Sequence, residues 1–504
     1  MNKIFPIIAL SVFGVGGLWA TPESTKPNVL FVISDDLNYA LGGLGHPESK
    51  TPNLDQFAKS GVSFTRAYCQ FPFCGPSRAS IMTGQYPMVN GVMRNGGKVD
   101  PNRVTLPRHF ANHGYWTARV SKIYHMGIPI DIVQGTSGPD HAASWHEAHN
   151  ITALETMTPG KLADYTHPDA AEHYPAERIK WTAAHREGEP YKMHPSIRGD
   201  YAVLEVADKD TGLLADTMAV DKALALLKGR QGKAKPFFIA VGLVRPHFPF
   251  VATEGSLEPY DARRMAYPDF PKDDHVDMPS GSKGRMMELK KSAVREVRRG
   301  YYGAVTYMDE QFGRLMAGLD HLKLRGNTIV VFVSDHGYLL GEHQMWKKGV
   351  LWNEAIQVPL IISAPGKKQG VRTHHIVELV DLYPTLAELA GLPPEPKAQG
   401  QSLVPLLNNP VAQLDRQDAM TTVSRGHGLR SGKWAFMWYP ASKRAQTEGF
   451  MLYDMEKDPK QFTNLAYDPA HNATKIQLLQ RLKERVDEYQ YCLLYTSPSP
   501  RDCQ

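Results

Sequence analysis

Three stretches of the chain, NVLFVIS (28–34), PFFIAVGLV (236–244) and NTIVVFVS (327–334), are apolar almost without interruption and rich in β-branched residues. A strand with one face in water alternates apolar and polar positions, so unbroken runs predict strands buried on both faces. Segments of helical periodicity separate them, which predicts an α/β fold: a mostly parallel sheet flanked by helices. DLYPTLAELAGLPP reads as a helix stopped by Gly391 and the prolines after it. A smaller α+β unit is expected to begin near residue 396, taking in the strand-like WAFMWY and the turn-rich LYDMEKDPKQFTNLA. The segment from about 127 to 215 breaks the pattern, being polar, rich in Pro, His and Trp, and without sustained periodicity. It is expected to be a long irregular insertion that shapes a pocket; Trp145 and Trp181 speak against the alternative, a disordered excursion.

With 504 residues, 42% of them apolar, the chain can bury a sizeable core. Residues 1–20, MNKIFPIIALSVFGVGGLWA, read as a cleavable signal peptide without a terminal cysteine for a lipid anchor. No later segment has the length and apolarity of a membrane helix, so a periplasmic or secreted protein with no membrane anchor is expected. The ending CLLYTSPSPRDCQ (492–504) resembles translated sequencing-library adapter and is set aside, leaving units at 27–395 and 396–491. A net charge of +5 is small for this length and makes no case for nucleic acid as a partner. The basic run LKKSAVREVRRG (289–300) is read as the solvated face of a helix. Four cysteines build no disulfide framework, and with the ending set aside only Cys69 and Cys74 matter.

The chemistry gathers where the strands stop. NVLFVIS runs into Asp35 and Asp36, NTIVVFVS into Asp335 and His336, and the strand at 236–244 reaches Arg245 and His247. Parallel sheets bind ligands beyond the carboxyl ends of their strands, so these residues are expected on one edge. Alone, Asp35 and Asp36 could be a helix cap and a solvated neighbour. Three carboxylates together suit a hard divalent cation, calcium in preference to magnesium.

The segment FPFCGPSRASIMTG (71–84) adds a cysteine at a helix start, with Pro76 in the first turn, Arg78 to Thr83 helical and Gly84 as the stop. Cys74 could be a thiol nucleophile, a metal ligand, half of a disulfide with Cys69, buried filler, or the precursor of another group. Its place favours an anion and lowers a thiol pKa, and Arg78, one turn on, can steady a charge there. A thiolate beside three carboxylates fits cysteine-protease chemistry poorly, and zinc lacks a second Cys/His pair.

C-G-P-S-R-A-S-I-M-T-G resembles the signature of the type I, formylglycine-dependent sulfatases, C-x-P-S-R followed by T-G. ISDDLN and SDHGYLLGEHQMWKKG are similar to that family's two metal motifs; SKIYH, PFFIAVGLVRPHFPF and LYDMEKDPKQFTNLA have counterparts too. The resemblance runs from about residue 27 to 465 and is nearest to the iduronate-2-sulfatase-like branch, which includes bacterial polysaccharide sulfatases. It implies an alkaline-phosphatase-like fold with a smaller C-terminal subdomain, and a maturation enzyme that oxidises Cys74 to formylglycine. The hydrated aldehyde would share a calcium with Asp35, Asp36, Asp335 and His336; one hydroxyl attacks the sulfur of a sulfate ester, and the second then expels sulfate. By the same resemblance Arg78 and Lys122 stabilise the hydrate and His125 orients it. His247 and Lys348, rather than Lys347, contact the sulfate, His247 acting as acid to the leaving group. Asn95 and Tyr338 are expected to line the pocket. The implied substrate is a sulfated carbohydrate. Phosphonate or phosphodiester hydrolysis on the same fold, and an inactive glycan-binding protein, are the alternatives.

Overall fold

The computed structural model describes residues 26–279, 281–442 and 447–496. The expected signal peptide lies outside the described residues, as do the last eight residues of the expected adapter-like ending.

Eight strands form the main sheet: β1 (Asn28–Asp35), β2 (Val62–Tyr68), β3 (Trp116–Ser121), β4 (Glu147–His149), β5 (Phe237–Pro246), β6 (Thr328–Ser334), β7 (Gln357–Ser363) and β8 (Val371–Glu378). Their order is β8-β2-β7-β6-β1-β5-β3-β4, and only β7 runs antiparallel to its neighbours. The unbroken apolar runs are the central strands β1, β5 and β6, as strands covered on both faces require. Along β1, Val29, Phe31 and Ile33 enter one core while Leu30 and Val32 enter the other. That is the period of two by which a strand sends alternate side chains to opposite faces.

Helices α1 (Cys74–Thr83), α2 (Ala170–Glu187), α3 (Ala215–Arg230), α4 (Lys291–His321) and α5 (Asn472–Thr496) are the longest. The basic run opens α4, but it is not wholly solvated. Arg298 is buried, paired with Glu48 at 3.0 Å and Glu342 at 2.8 Å. Residues 127–215 are more regular than expected, since they contain the 18-residue α2, the edge strand β4, and two short strands of a separate three-stranded sheet. Beyond residue 396, strands β9 (Asp418–Val423), β10 (Gly426–Ser431), β11 (Trp434–Tyr439) and β12 (Gly449–Asp454) form an antiparallel meander. Met437, Met451 and Tyr453 of this meander share a core with Trp352 and β1, so the small sheet packs against the large one.

Candidate active site

Strand register builds the site. β1 and β6 pair in parallel with Ile33 opposite Val333 and Ser34 opposite Ser334, so the next residues, Asp35 and Asp335, emerge side by side. On the other flank β1 and β5 lose register after Ile33, and Asp35 comes to lie opposite Pro246. That shift brings Arg245 and His247 to the same edge. Asp36 turns out of the sheet in the left-handed region, φ 63°, and its carbonyl accepts the Tyr301 hydroxyl at 2.8 Å. Ser121 and Lys347 share this conformation, at φ 61° and 73°, each one residue ahead of a lysine expected in the site. Left-handed backbone at non-glycine residues persists where surrounding contacts over-determine it, and it clusters at functional sites.

Helix α1 begins at Cys74 itself, which the sequence places just ahead of the first turn, and it ends at Gly84 in the left-handed region at φ 64°. All ten of its residues are buried. Gly75 permits a close approach, since a Cβ there would lie 2.7 Å from the Asn95 Cα. Cys69 and Cys74 are both free thiols, so the disulfide alternative is not realised.

Arg78 is the hub. Its Nε donates to Asp335 Oδ2 at 2.7 Å, Nη2 to Asp35 Oδ1 at 3.2 Å, and Nη1 to the carbonyls of Lys122 and Ile123. Lys122 Nζ meets the other oxygen of Asp35 at 2.5 Å. Lys348 Nζ pairs with Asp36 and stands 3.0 Å from the Cys74 Sγ. Its neighbour Lys347 points elsewhere, to Asp200 at 2.7 Å. The ring of His336 offers Nε2 to Cys74 Sγ at 3.3 Å, because Nδ1 must donate to the Gly337 carbonyl at 2.9 Å. His247 is fixed the same way: Nδ1 donates to the Phe248 carbonyl at 2.5 Å, leaving Nε2 3.7 Å from Asp36 Oδ2.

Asp35, Asp36 and Asp335 are wholly buried, so neither a solvated neighbour nor a surface cap describes them. Burial and Cys74 would raise Asp35, but Lys122, His247 and Arg78 hold it well below the usual carboxylate range. At Asp335 burial prevails over Arg78 and His336 and lifts the carboxyl to about 6. Burial alone would also raise the Cys74 thiol, yet Lys122, Lys348, His336 and a hydrogen bond with His125 bring it well below the ordinary thiol range. Position 74 is thus a pocket for negative charge.

A divalent metal fits these residues. Ligand atoms of Asp35, Cys74, Asp335 and His336 lie within 4.8 Å of one another, and so do those of Asp36, Cys74 and His247. Asp36 Oδ2 is shut off from solvent and accepts no hydrogen bond. An orphaned carboxylate oxygen is costly unless a cation completes it, and an oxygen-rich set suits a hard one.

Two expected pocket residues are placed differently. Tyr338 has no exposed surface; its ring stacks on Tyr301 at 5.9 Å and meets Phe250 edge-on, so it belongs to the core between sheet and α4 and cannot line an open pocket. Asn95 is half-buried, and its Oδ1 accepts the Gly75 N–H at 3.0 Å, bracing the start of α1.

Sequence reasoning missed the groups behind His247. Arg245 donates to the His247 carbonyl at 2.7 Å and pairs with the buried Glu155 at 2.5 Å, while Asp216 accepts the N–H groups of Val244 at 2.6 Å and Arg245 at 3.0 Å. Glu155 belongs to the insertion, and no spacing links it to Arg245 ninety residues later. Glu155→Gln leaves a buried guanidinium without its charge partner and is expected to cost about 3–5 kcal/mol, read by urea denaturation.

Residues 27–392 match the family model described as Sulfatase. The chain belongs to the sulfatase family. Members of this family are sulfuric ester hydrolases. Residues 341–488 also match the model for the C-terminal part of N-sulphoglucosamine sulphohydrolase. This family member is 30% identical to the iduronate 2-sulfatase of Mus musculus over 418 residues, covering 73% of this chain and 70% of that one. It is 28% identical to an ulvan-active sulfatase of Formosa agariphila over 485 residues, 92% of this chain and 82% of that one. In structure it resembles a phosphonate monoester hydrolase from Silicibacter pomeroyi with a TM-score of 0.72 at 23% identity, covering 92% and 95% of the two chains. That likeness shows the alkaline-phosphatase-like fold. Formylglycine and a divalent metal are general to the sulfatases, and the buried group around Cys74 is one that could hold such a metal.

Proposed function

We propose that the chain hydrolyses a sulfate ester on a sulfated sugar or polysaccharide, with formylglycine formed from Cys74 and with calcium held by Asp35, Asp36, Asp335 and His336. The observation that carries this reading is the position of Cys74: the signature cysteine is buried at the first turn of α1, within reach of three carboxylates, two lysines and three imidazoles. Family membership and the sugar-directed names of relatives support the substrate class. We also place the boundary between a catalytic unit and a smaller companion near residue 396, and take the protein to be exported. Among the described residues no helix is long and apolar enough to cross a membrane.

The roles follow from charge and reach. Calcium would supply Lewis-acid polarisation of the sulfuryl oxygens. The hydrated aldehyde would supply one hydroxyl to attack sulfur and a second whose proton loss releases sulfate. Arg78 spans Asp35 and Asp335 and keeps both carboxylates aimed inward. Lys122 and His125 flank position 74, where they hold and orient a hydroxyl. Lys348 Nζ, 3.0 Å from Sγ, reaches a sulfuryl oxygen bound there. His247, with Nδ1 fixed on a carbonyl, presents Nε2 to protonate the departing sugar oxygen.

In cells that contain a formylglycine-generating enzyme, the tryptic peptide holding Cys74 is expected to carry an aldehyde, detected by mass and by hydrazide capture. Active protein that carries only thiol would overturn the reading. Glycosaminoglycan, ulvan, carrageenan and fucan oligosaccharides should include a substrate that releases sulfate. Phosphonate monoesters or phosphodiesters turned over faster than every sulfate ester would favour the alternative chemistry. Full activity after exhaustive chelation would remove the metal from the mechanism.

A further inference from the structure

A second charged recess lies beside the catalytic residues, where the insertion meets the strand that carries Lys347. Lys347 Nζ sits 2.7 Å from Asp200 Oδ2, over the rings of Phe248 at 4.6 Å and Tyr201 at 5.3 Å. Arg285, on the strand paired with that of Lys347, lies over the same Tyr201 ring at 5.9 Å. Arg198 Nε stands 3.6 Å from Asp200 Oδ1, an atom shut off from solvent that accepts no hydrogen bond. Among the described residues, then, Asp200 faces three cations.

The recess adjoins the reacting groups through covalent and ring contacts. Lys347 precedes Lys348 in the chain, and the Phe248 ring packs on that of His247 with centroids 4.3 Å apart. On the far side, Arg198 also lines a cavity of 420 Å³ together with Lys192 and Tyr191. The Arg198 side chain is 63% exposed and Arg285 is exposed, so neither is held there by burial in the core.

We propose that this recess is a subsite for the sugar next to the one that carries the scissile sulfate, and that it binds an anionic substituent on that sugar, a carboxylate or a second sulfate. The inference rests on the sulfatase reading above. Arg198, Arg285 and Lys347 supply charge-assisted donors in excess of the one carboxylate they already meet. An uncharged neighbouring sugar would leave the cations uncompensated, so the recess selects for polyanionic chains over neutral ones.

The test compares the native protein with the Arg198→Gln/Arg285→Gln variant on whichever oligosaccharide of the panel it desulfates. Each is assayed on that oligosaccharide as isolated, after chemical reduction of its carboxyl groups, and after removal of its non-scissile sulfates. Loss of two charge-assisted contacts is expected to lower kcat/KM about tenfold or more on the native oligosaccharide, mainly through KM. On one of the two neutralised forms the variant and the native protein should agree within about twofold, and which form it is identifies the anion. A variant-to-native ratio that is the same on all three substrates would overturn the subsite. Turnover of the oligosaccharide by the native protein measures the sulfatase reading itself, so failure of that reading and failure of the subsite give different results.

Discussion

Cys74→Ala is expected to abolish sulfate release, lowering kcat/KM by about 10⁴-fold or more, while leaving the melting temperature close to that of the native protein. On the proposed mechanism the loss is large because position 74 would supply the nucleophile, and the neighbouring groups have no substitute. Every candidate within reach is a carboxylate bound to a cation, a lysine bound to a carboxylate, or an imidazole. The fold should survive because the side chain makes few contacts that hold α1 in place. The helix is anchored instead by Arg78 on two carboxylates, by Ser77 on the Asp335 carbonyl and by Asn95 on the Gly75 N–H. Cys74→Ser separates two roles, since serine keeps the size and an oxygen but cannot be oxidised to the aldehyde by the route open to cysteine. A serine variant with native multiple-turnover kcat would refute formylglycine as the working group, whereas a single stoichiometric turnover followed by arrest would support it.

The strand ends are legible in the sequence because buried parallel strands announce themselves as unbroken apolar runs, and the residues that follow must gather on one edge. What the sequence could not show is register. Whether Asp35 meets Asp335 or slips past it depends on the pairing of Ile33 with Val333, and the turn of Arg245 and His247 into the site depends on an irregularity after Ile33. The motif around Cys74 is specific enough to single out a candidate nucleophile but not its support. Glu155 and Asp216 hold the His247 segment from far along the chain, through a guanidinium and two backbone amides. Helix α2 stayed hidden for a different reason: only Ala170 and Glu177 are buried on it, so it carries no apolar stripe. It is held by Tyr174 and Trp181, which pack on Val133, Met157 and Ile197, and by polar contacts such as the Glu177 carboxylate with Tyr191 and the His194 N–H. Tyr338 shows the opposite error, for a tyrosine two residues after His336 falls behind the site, stacked on Tyr301.

Asp335→Asn is expected to lower kcat by about 10³-fold or more and to reduce bound metal below one equivalent, measured by elemental analysis after gel filtration. The amide has the shape of the carboxylate, and its oxygen can still accept the N–H groups of Asp36 and His336, which meet Asp335 Oδ1 at 3.2 and 2.9 Å. What it loses is charge at the second oxygen, where Arg78 Nε stands at 2.7 Å, and an –NH₂ turned toward that guanidinium would repel it. Arg78 keeps Asp35 and the carbonyls of Lys122 and Ile123, so the cost to stability stays below that of removing Arg78 itself, which would leave two buried carboxylates short of a partner. The comparison of Asp335→Asn with Arg78→Lys separates metal holding from scaffolding. Lysine retains the charge but cannot span both carboxylates, so its larger effect should fall on melting temperature, with metal content less affected than in the asparagine variant. Should Asp335→Asn bind metal in full and still lose activity, the carboxylate would act by positioning Arg78 and not as a ligand, and the metal set would contract to Asp35, Asp36 and His336.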